Sequence, residues 1–287
     1  MFFIDPKHKF LVGIDSDGCA FDTMELKHKE CFIPPFIKHY GLAGVSKYAR
    51  EAAEFVNLYS KDRGCNRFLA LVKQLGLVAA RPEVRARGYD IQVPPGVVAW
   101  IQRESRLGNP ALAAAVEATG DADLQQALAW SKEVNERVTE MVRHVPPYPF
   151  VRECLQKLSG QADILVVSAT PNEALCREWE EHDIAQYVAG ICGQEIGTKK
   201  EVLGNAAKYA AGATLMIGDA PGDQQAAVAN GAWFFPINPG AEEASWRRLY
   251  EEGLGRFLGG TFDEAYQREL LAEFDKRLPE KPPWNVS

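Results

Sequence analysis

The chain has 287 residues, of which 46% are hydrophobic and 25% are charged. This length can bury a large core and suits one large domain or two smaller ones. The net charge of −7 disfavours a nucleic acid or an anionic membrane as a partner, because no global positive field attracts phosphate groups. A small phosphorylated ligand stays compatible with it, since a metal ion or a few basic side chains can override the average charge locally.

The cysteines and the N-terminus bear on the cellular compartment. The six cysteines form no CxxC pair and no metal-ligand spacing, so we expect them to be reduced, as in a cytosolic protein. The first ten residues contain no apolar run of signal-peptide length, and no stretch approaches the 18 or so apolar residues of a membrane span. We therefore expect a soluble cytoplasmic protein, whose oligomeric state the sequence leaves open.

The first predicted element is a strand at 10–14, an apolar run that leads directly into Asp15-Ser16-Asp17-Gly18. Residues 24–147 then show only helical periodicity, and prolines punctuate it. Helical patterns are found there at 48–59, 67–75, 97–107 and 124–142. This organisation predicts an all-helical insertion between the first strand of a sheet and the rest of that sheet.

Strands and helices alternate in the second half of the chain. Near-continuous apolar runs, typical of strands covered on both faces, are found at 164–167, 188–191, 214–217 and 233–237. Helical patterns separate them at 171–183, 199–211 and 221–230, and further helices follow towards the C-terminus. Thr170, with Glu173 three residues later, predicts a capping box at the start of the helix near 171. The alternation predicts an α/β fold with a parallel sheet.

Residues suited to phosphate chemistry follow the predicted strands. Asp15 and Asp17 follow the first strand, and Ser168 follows the second. Lys199 and Lys200 open the helix after the third, and Asp219 and Asp223 follow the fourth. Because ligands bind at the carboxyl ends of parallel strands, we expect these side chains to converge. Carboxylate oxygens suit Mg²⁺, a carboxylate can attack phosphorus, and a second acid can protonate the leaving alcohol.

Four segments together resemble the motifs of the haloacid dehalogenase superfamily: DSDGCAFDT (15–23), ILVVSAT (164–170), GTKKE (197–201) and IGDAPGD (217–223). The resemblance implies that Asp15 is the nucleophile and Asp17 the general acid and base. It also implies that Ser168 and one lysine hold the phosphoryl group. We favour Lys199, which comes just before the helix, and Lys200 is the competitor.

The resemblance further implies a cofactor, a fold and a domain arrangement. Mg²⁺ would be bound by Asp15, Asp219 and the backbone carbonyl of Asp17, with Asp223 in support. The fold would be a Rossmann-like core of residues 1–23 and 148–287, with a helical C-terminal extension from about 238. The helical insertion at 24–147 would be a mobile cap over the active site.

Two arginines in the insertion are candidates for substrate specificity. Gly64 would let the loop at 61–67 bend, and Arg63 and Arg67 could then grip an anionic part of a substrate. The alternative interpretation of this loop is a solvated helix start.

These observations favour a magnesium-dependent phosphatase that hydrolyses a small phosphorylated metabolite through an aspartyl-phosphate. A phosphomutase or phosphotransferase would keep the same two acids and stays open as an alternative. A phosphonate hydrolase or a dehalogenase would not be expected to need an acid at Asp17. A phosphorylation-driven signalling module and a non-catalytic phosphate-binding protein are the alternatives outside enzymes.

Overall fold

The computed structural model describes residues 3–285, and within that range it contains a five-stranded parallel sheet with the strand order β3-β2-β1-β4-β5. The strands are Phe10–Ile14 (β1), Ala162–Val167 (β2), Gly190–Cys192 (β3), Thr214–Gly218 (β4) and Trp233–Pro236 (β5). The central strand β1 pairs with β2 and β4, so that Ile14 lies opposite Val166 and Ile217. The predicted parallel α/β sheet is confirmed, and the carboxyl ends of its strands share one edge.

The described chain divides into two compact units. Residues 3–24 and 144–279 contain the sheet and form what we call the core unit, and residues 25–143 with 280–285 form the helical unit. The sequence expectation placed the insertion at 24–147 and assigned the whole C-terminus to the core. The structure groups residues 280–285 with the helical unit instead.

Helices occupy most of the segment from the end of β1 to residue 143. They are Thr23–Leu26 (α1), Ile33–His39 (α2), Ser46–Leu58 (α3), Arg67–Ala80 (α4), Pro82–Ala86 (α5), Pro95–Arg103 (α6), Asn109–Thr119 (α7) and Ala122–Met141 (α8). A π-helical stretch, Lys27–Phe32, joins α1 to α2. Large aromatic side chains fill the interior of the helical unit, where Phe68 packs edge-on against Trp100 and Trp130 with centroid distances of 5.1 and 6.2 Å. The helical unit therefore has its own hydrophobic core.

Residues 280–285 attach to the helical unit through an aromatic side chain. The Arg81 guanidinium lies 3.9 Å from the centroid of the Trp284 ring and forms an ion pair with Glu51. The Trp284 ring also contacts Phe55 edge-on. Cation–π contact and aromatic packing explain why this segment joins the helical unit.

A cluster of basic side chains surrounds Glu133 on α8. Its carboxylate accepts hydrogen bonds from Lys38 at 2.7 Å, His39 at 2.8 Å and Arg137. The hydrogen bond from Lys38, helped by those from His39 and Arg137, lowers the pKa of Glu133 to about 2. The carboxylate therefore stays ionised far into the acid range.

The core unit continues with helices that cover the sheet. They are Val151–Leu158 (α9), Asn172–Glu181 (α10), Lys199–Leu203 (α11), Pro221–Ala229 (α12), Glu242–Arg248 (α13), Leu254–Leu258 (α14) and Glu264–Arg277 (α15). Tyr266, Leu270 and Phe274, which recur at helical spacing on α15, form a buried apolar stripe. All six cysteines are free. Among residues 3–285, no helix has the length and apolar character that a membrane crossing requires.

Candidate active site

The turn after β1 places two acids at the carboxyl edge of the sheet. The Asp15 N–H donates to the Ile217 carbonyl at 3.0 Å, and the Ser16 N–H donates to Asp15 Oδ1 at 2.8 Å. Gly18 has φ of +73°, a left-handed conformation that favours glycine, and its N–H donates to the Phe21 carbonyl. The Asp15-Ser16-Asp17-Gly18 segment is therefore a tight turn that fixes the direction of the Asp15 carboxylate.

Three buried carboxylates meet at this edge. One oxygen each from Asp15, Asp219 and Asp223 lies within 4.8 Å of the other two, and all three residues are at most 5% exposed. Asp219 directly follows β4, the neighbour of β1, and Asp223 lies in the first turn of α12. Burial raises the pKa of Asp15 well above its ordinary value, and the charges of Asp223 and Asp219 raise it further. Such a cluster is suited to a hard divalent cation with oxygen ligands.

Lys199 lies between two of these acids. Its Nζ is 2.6 Å from Asp15 Oδ2 and 2.6 Å from Asp223 Oδ1. Burial alone lowers the pKa of Lys199, but the two carboxylates outweigh burial and hold that pKa above its usual range. The neighbouring Lys200 is exposed. The geometry thus favours Lys199 over Lys200 as the cation of this site.

Local structure explains how α11 presents Lys199. Thr198 caps the helix, because its hydroxyl accepts from the Glu201 N–H and the Glu201 carboxylate accepts from the Thr198 N–H at 2.8 Å. This capping box fixes Lys199 as the first helical residue.

Asp223 approaches the backbone closely. Its Oδ2 accepts from the Ala220 N–H at 3.0 Å. A Cβ added at Gly218 would lie 2.4 Å from the Asp223 Cβ and Cγ, which no real side chain tolerates. The close approach of Asp223 to the end of β4 therefore requires glycine at position 218.

The second acid of the turn, Asp17, is held by two hydroxyl groups. Thr23 Oγ1 donates to Asp17 Oδ1, and Thr170 Oγ1 donates to Asp17 Oδ2. The prediction that Thr170 caps the next helix is wrong: Pro171 is the N-cap residue of α10, and the Asn172 N–H is bonded instead by the Glu195 carboxylate at 2.9 Å. A partner from another loop satisfies the helix end, so the Thr170 hydroxyl is available to Asp17.

Ser168 follows β2, next to the turn that carries Asp15. It is buried, its N–H donates to the Cys192 carbonyl at 3.0 Å, and its Oγ accepts from the Thr170 N–H at 3.2 Å. A hydroxyl that accepts this bond keeps its own proton available for an anionic ligand.

A side-chain network behind the turn was absent from the sequence interpretation. Ser16 is fully buried, its Oγ donates to Glu178 Oε2 at 3.0 Å, and it accepts from Trp179 Nε1 at 3.0 Å. These bonds tie the turn between the two acids to α10. No local pattern around Ser16 signals them, because the partners are about 160 positions away in the chain.

The two candidate specificity arginines lie in the helical unit. Arg63 is 3% exposed, and its Nη1 donates to the Leu58 carbonyl at 2.9 Å. Arg67 is half-buried and donates to Ser131 and Asn135. Neither side chain is fully solvated, as the alternative interpretation of this loop as a solvated helix start would require. Their part in substrate binding stays a prediction.

Comparison with known proteins gives a family match. Residues 102–236 match the model of a family described as haloacid dehalogenase-like hydrolase. The matched range contains Ser168, Lys199 and Asp219 but begins after Asp15 and Asp17. No curated protein matches the chain.

Solved structures of low identity resemble the chain. A haloacid dehalogenase superfamily hydrolase of subfamily IA from Geobacter sulfurreducens is 15% identical, with a TM-score of 0.40, over 80% of this chain and 88% of that one. A haloacid dehalogenase-like family hydrolase from Streptococcus pneumoniae is 13% identical, with a TM-score of 0.42, over 93% of this chain and 98% of that one. A protein from Lactobacillus delbrueckii subsp. bulgaricus with the provisional name phosphoglycolate phosphatase is 14% identical, with a TM-score of 0.48, over 88% of this chain and 98% of that one.

Proposed function

We propose that this chain is a haloacid dehalogenase-like hydrolase and, within that family, a magnesium-dependent phosphatase that acts on a small phosphomonoester through an aspartyl-phosphate. The observation that carries this proposal is the cluster of the Asp15, Asp219 and Asp223 carboxylates, in which Lys199 binds Asp15 and Asp223, with Asp17 two residues beyond Asp15. An acid at Asp17 suits an alcohol leaving group, which needs a proton.

The donor set fits Mg²⁺. The carboxylates of Asp15 and Asp219 and the backbone carbonyl of Asp17 would hold the ion, with Asp223 in support, and oxygen ligands of this kind are those that Mg²⁺ prefers. Burial raises the pKa of Asp15, and a metal ion, in addition to the Lys199 ammonium, would offset the negative charge of this buried cluster. When bound, Mg²⁺ supplies positive charge that offsets the charge of the phosphoryl group.

In the first step, a carboxylate oxygen of Asp15 attacks phosphorus and the ester P–O bond breaks. Asp17 donates a proton to the departing alkoxide oxygen, so that a neutral alcohol leaves. The Lys199 ammonium and the Ser168 hydroxyl donate hydrogen bonds to phosphoryl oxygens and offset their charge. The bonds from Thr23 and Thr170 keep the Asp17 carboxyl group in one orientation.

In the second step, Asp17 is a carboxylate and accepts a proton from water. The water oxygen attacks phosphorus, and the bond from phosphorus to the Asp15 oxygen breaks. Inorganic phosphate leaves, and both acids return to their starting states. A phosphomutase would instead return the phosphoryl group to a second hydroxyl of a sugar, with the same two acids.

Phosphate release from 4-nitrophenyl phosphate tests the proposal. We expect Mg²⁺-dependent turnover that a chelator abolishes and added Mg²⁺ restores. Asp15→Asn should lower kcat by about 10³-fold or more, because the amide is a poor nucleophile. Asp5→Asn, the same change at a fully exposed position, is the matched control. Full activity in Asp15→Asn would refute the proposal, and sugar-phosphate isomerisation without net phosphate release would identify a mutase.

A screen of phosphorylated metabolites for phosphate release would identify the natural substrate. The resemblance implies that the helical unit acts as a cap and selects the substrate, and this stays a prediction. Arg63→Ala and Arg67→Ala on the best substrate test it, since unchanged kcat and KM in both variants would contradict a role of these arginines in substrate binding.

A further inference from the structure

The turn between the two acids contains a serine whose main chain and side chain make separate sets of hydrogen bonds. The Ser16 carbonyl accepts from the N–H groups of Cys19, Ala20 and Phe21 at 3.3, 2.9 and 3.1 Å, and these bonds close the turn. The Ser16 N–H donates to Asp15 Oδ1 at 2.8 Å. The hydroxyl takes no part in any of these bonds, so the backbone of the turn closes without it.

The Ser16 hydroxyl instead contacts α10, where two consecutive residues hold it. It donates to Glu178 Oε2 at 3.0 Å and accepts from Trp179 Nε1 at 3.0 Å. One donor and one acceptor fix the rotation of a hydroxyl group, and a carboxylate is a stronger acceptor than a neutral group. Because Ser16 and Trp179 are both fully buried, water cannot replace the bond between them.

The same part of the chain contacts the turn at two further places. Thr170, two residues before α10 begins, donates its hydroxyl proton to Asp17 Oδ2. The Trp179 ring meets the Phe21 ring edge-on at a centroid distance of 5.8 Å. The helix and the loop before it therefore contact the turn at three places, and the Ser16 hydroxyl makes the contact that lies between the two acids.

We propose that two residues of α10, Glu178 and Trp179, are positioning residues of the reaction. They hold the Ser16 hydroxyl and thereby set the relative orientation of the Asp15 and Asp17 carboxyl groups. Both acids are bonded directly to Ser16 along the chain, so a rotation of its backbone moves one carboxyl group relative to the other. Attack by one acid and proton transfer from the other need both groups aligned on one substrate, and a misplacement of about 1 Å can cost about 10²-fold in rate. The positioning role rests on the proposed phosphatase function.

Steady-state kinetics with 4-nitrophenyl phosphate at saturating Mg²⁺ test the proposal. Ser16→Ala should lower kcat about tenfold or more and change KM less than about twofold, because the turn keeps its own bonds while the acids lose their alignment. Glu178→Leu should act in the same way. Glu178→Gln should recover most of the loss, since its amide oxygen can accept the same hydrogen bond. Glu180→Leu, the same change at an exposed position of α10, is the matched control.

Trp179→Phe separates the hydrogen bond from the packing, because it removes the indole N–H and keeps an aromatic ring beside Phe21. This variant should also lower kcat with little change in KM. In the Ser16→Ala background, Trp179→Phe should lower kcat no further, because the helix then has no hydroxyl to hold. Multiplied losses in the double variant would show that α10 affects activity by another route and would overturn the proposal.

Far-UV circular dichroism and thermal unfolding show whether each variant is folded. Glu178 is half-buried, so Glu178→Leu remains informative even if Ser16→Ala does not fold. Unchanged kcat in folded Ser16→Ala or Glu178→Leu, or no recovery in Glu178→Gln, would overturn the positioning role and leave the phosphatase function intact. If wild type releases no phosphate, or if Asp15→Asn keeps full activity, the phosphatase function fails and the positioning role fails with it.

Discussion

Lys199→Met removes the only cation that bonds Asp15 and Asp223 among the described residues, and its energetic effect can be estimated. Lys199 Nζ is 2.6 Å from a carboxylate oxygen of each. At an effective dielectric constant of 20, each contact corresponds to roughly 6 kcal/mol of attraction. Desolvation of the charges offsets most of this, and the loss of one partner of a buried ion pair typically costs about 3–5 kcal/mol.

We therefore expect Lys199→Met to lower the free energy of unfolding by about 3–5 kcal/mol at pH 7 without metal, as measured by urea denaturation. Lys200→Met is the matched control, since the next residue of the same helix is exposed and should change stability by less than about 0.5 kcal/mol. The kcat for aryl phosphate should fall about 10²–10³-fold in Lys199→Met alone.

The loss of stability in Lys199→Met should depend on added Mg²⁺ and on pH. Added Mg²⁺ should restore more stability to this variant than to wild type, because a cation again offsets the carboxylates. Without the ammonium, the folded variant keeps a raised Asp15 pKa and binds more protons than the unfolded chain, so its stability should rise as the pH falls from 7 towards 5. A deficit below about 1 kcal/mol that neither Mg²⁺ nor pH changes would refute the reasoning.

Three further variants test other parts of the two units. Thr170→Val removes one of the two hydroxyl donors to Asp17 and should lower kcat about tenfold. Thr170→Ser keeps the hydroxyl and should have a kcat close to that of wild type. Equal kcat in Thr170→Val and wild type would contradict the role of this hydrogen bond in catalysis. Gly218→Ala places a Cβ 2.4 Å from Asp223 and should lower stability by about 1–3 kcal/mol in thermal unfolding, whereas an unchanged Tm would show that the close approach is absent. Glu133→Gln should lower the free energy of unfolding by about 1 kcal/mol at pH 7. The loss is small because the basic side chains around Glu133 are partly exposed, and solvent screens their charge. As the folded-state pKa is lowered to about 2, this deficit should shrink as the pH falls below about 4.5 towards 2, and a constant deficit would contradict it.

The parallel sheet and the positions of its acids could be predicted from local pattern. A strand buried on both faces must be apolar throughout, so β1 and β4 stand out as apolar runs that end on Asp15 and Asp219. The parallel arrangement then brings the ends of these strands to one edge, whatever the rest of the chain does. That is why the acid cluster follows from the order of residues.

Thr170 shows where such local reasoning fails. A threonine followed three residues later by a glutamate fits a capping box, and the pattern contains no sign of a competing partner. In the folded chain the hydroxyl donates to Asp17, 153 positions away, and Glu195 bonds the helix start in its place. The Ser16 contacts with Glu178 and Trp179 escaped prediction for the same reason.

Lys199 and Lys200 show most clearly the difference between what the sequence determines and what the tertiary structure determines. Successive residues of an α-helix point about 100° apart, so Lys199 and Lys200 cannot both face the acids, yet composition and spacing treat them alike. The packing of α11 beside the sheet directs Lys199 towards Asp15 and leaves Lys200 exposed. The order of residues thus specifies which chemical groups reach the edge of the sheet. Long-range packing selects the side chains that make contact there, because orientation about a helix axis depends on what the helix packs against.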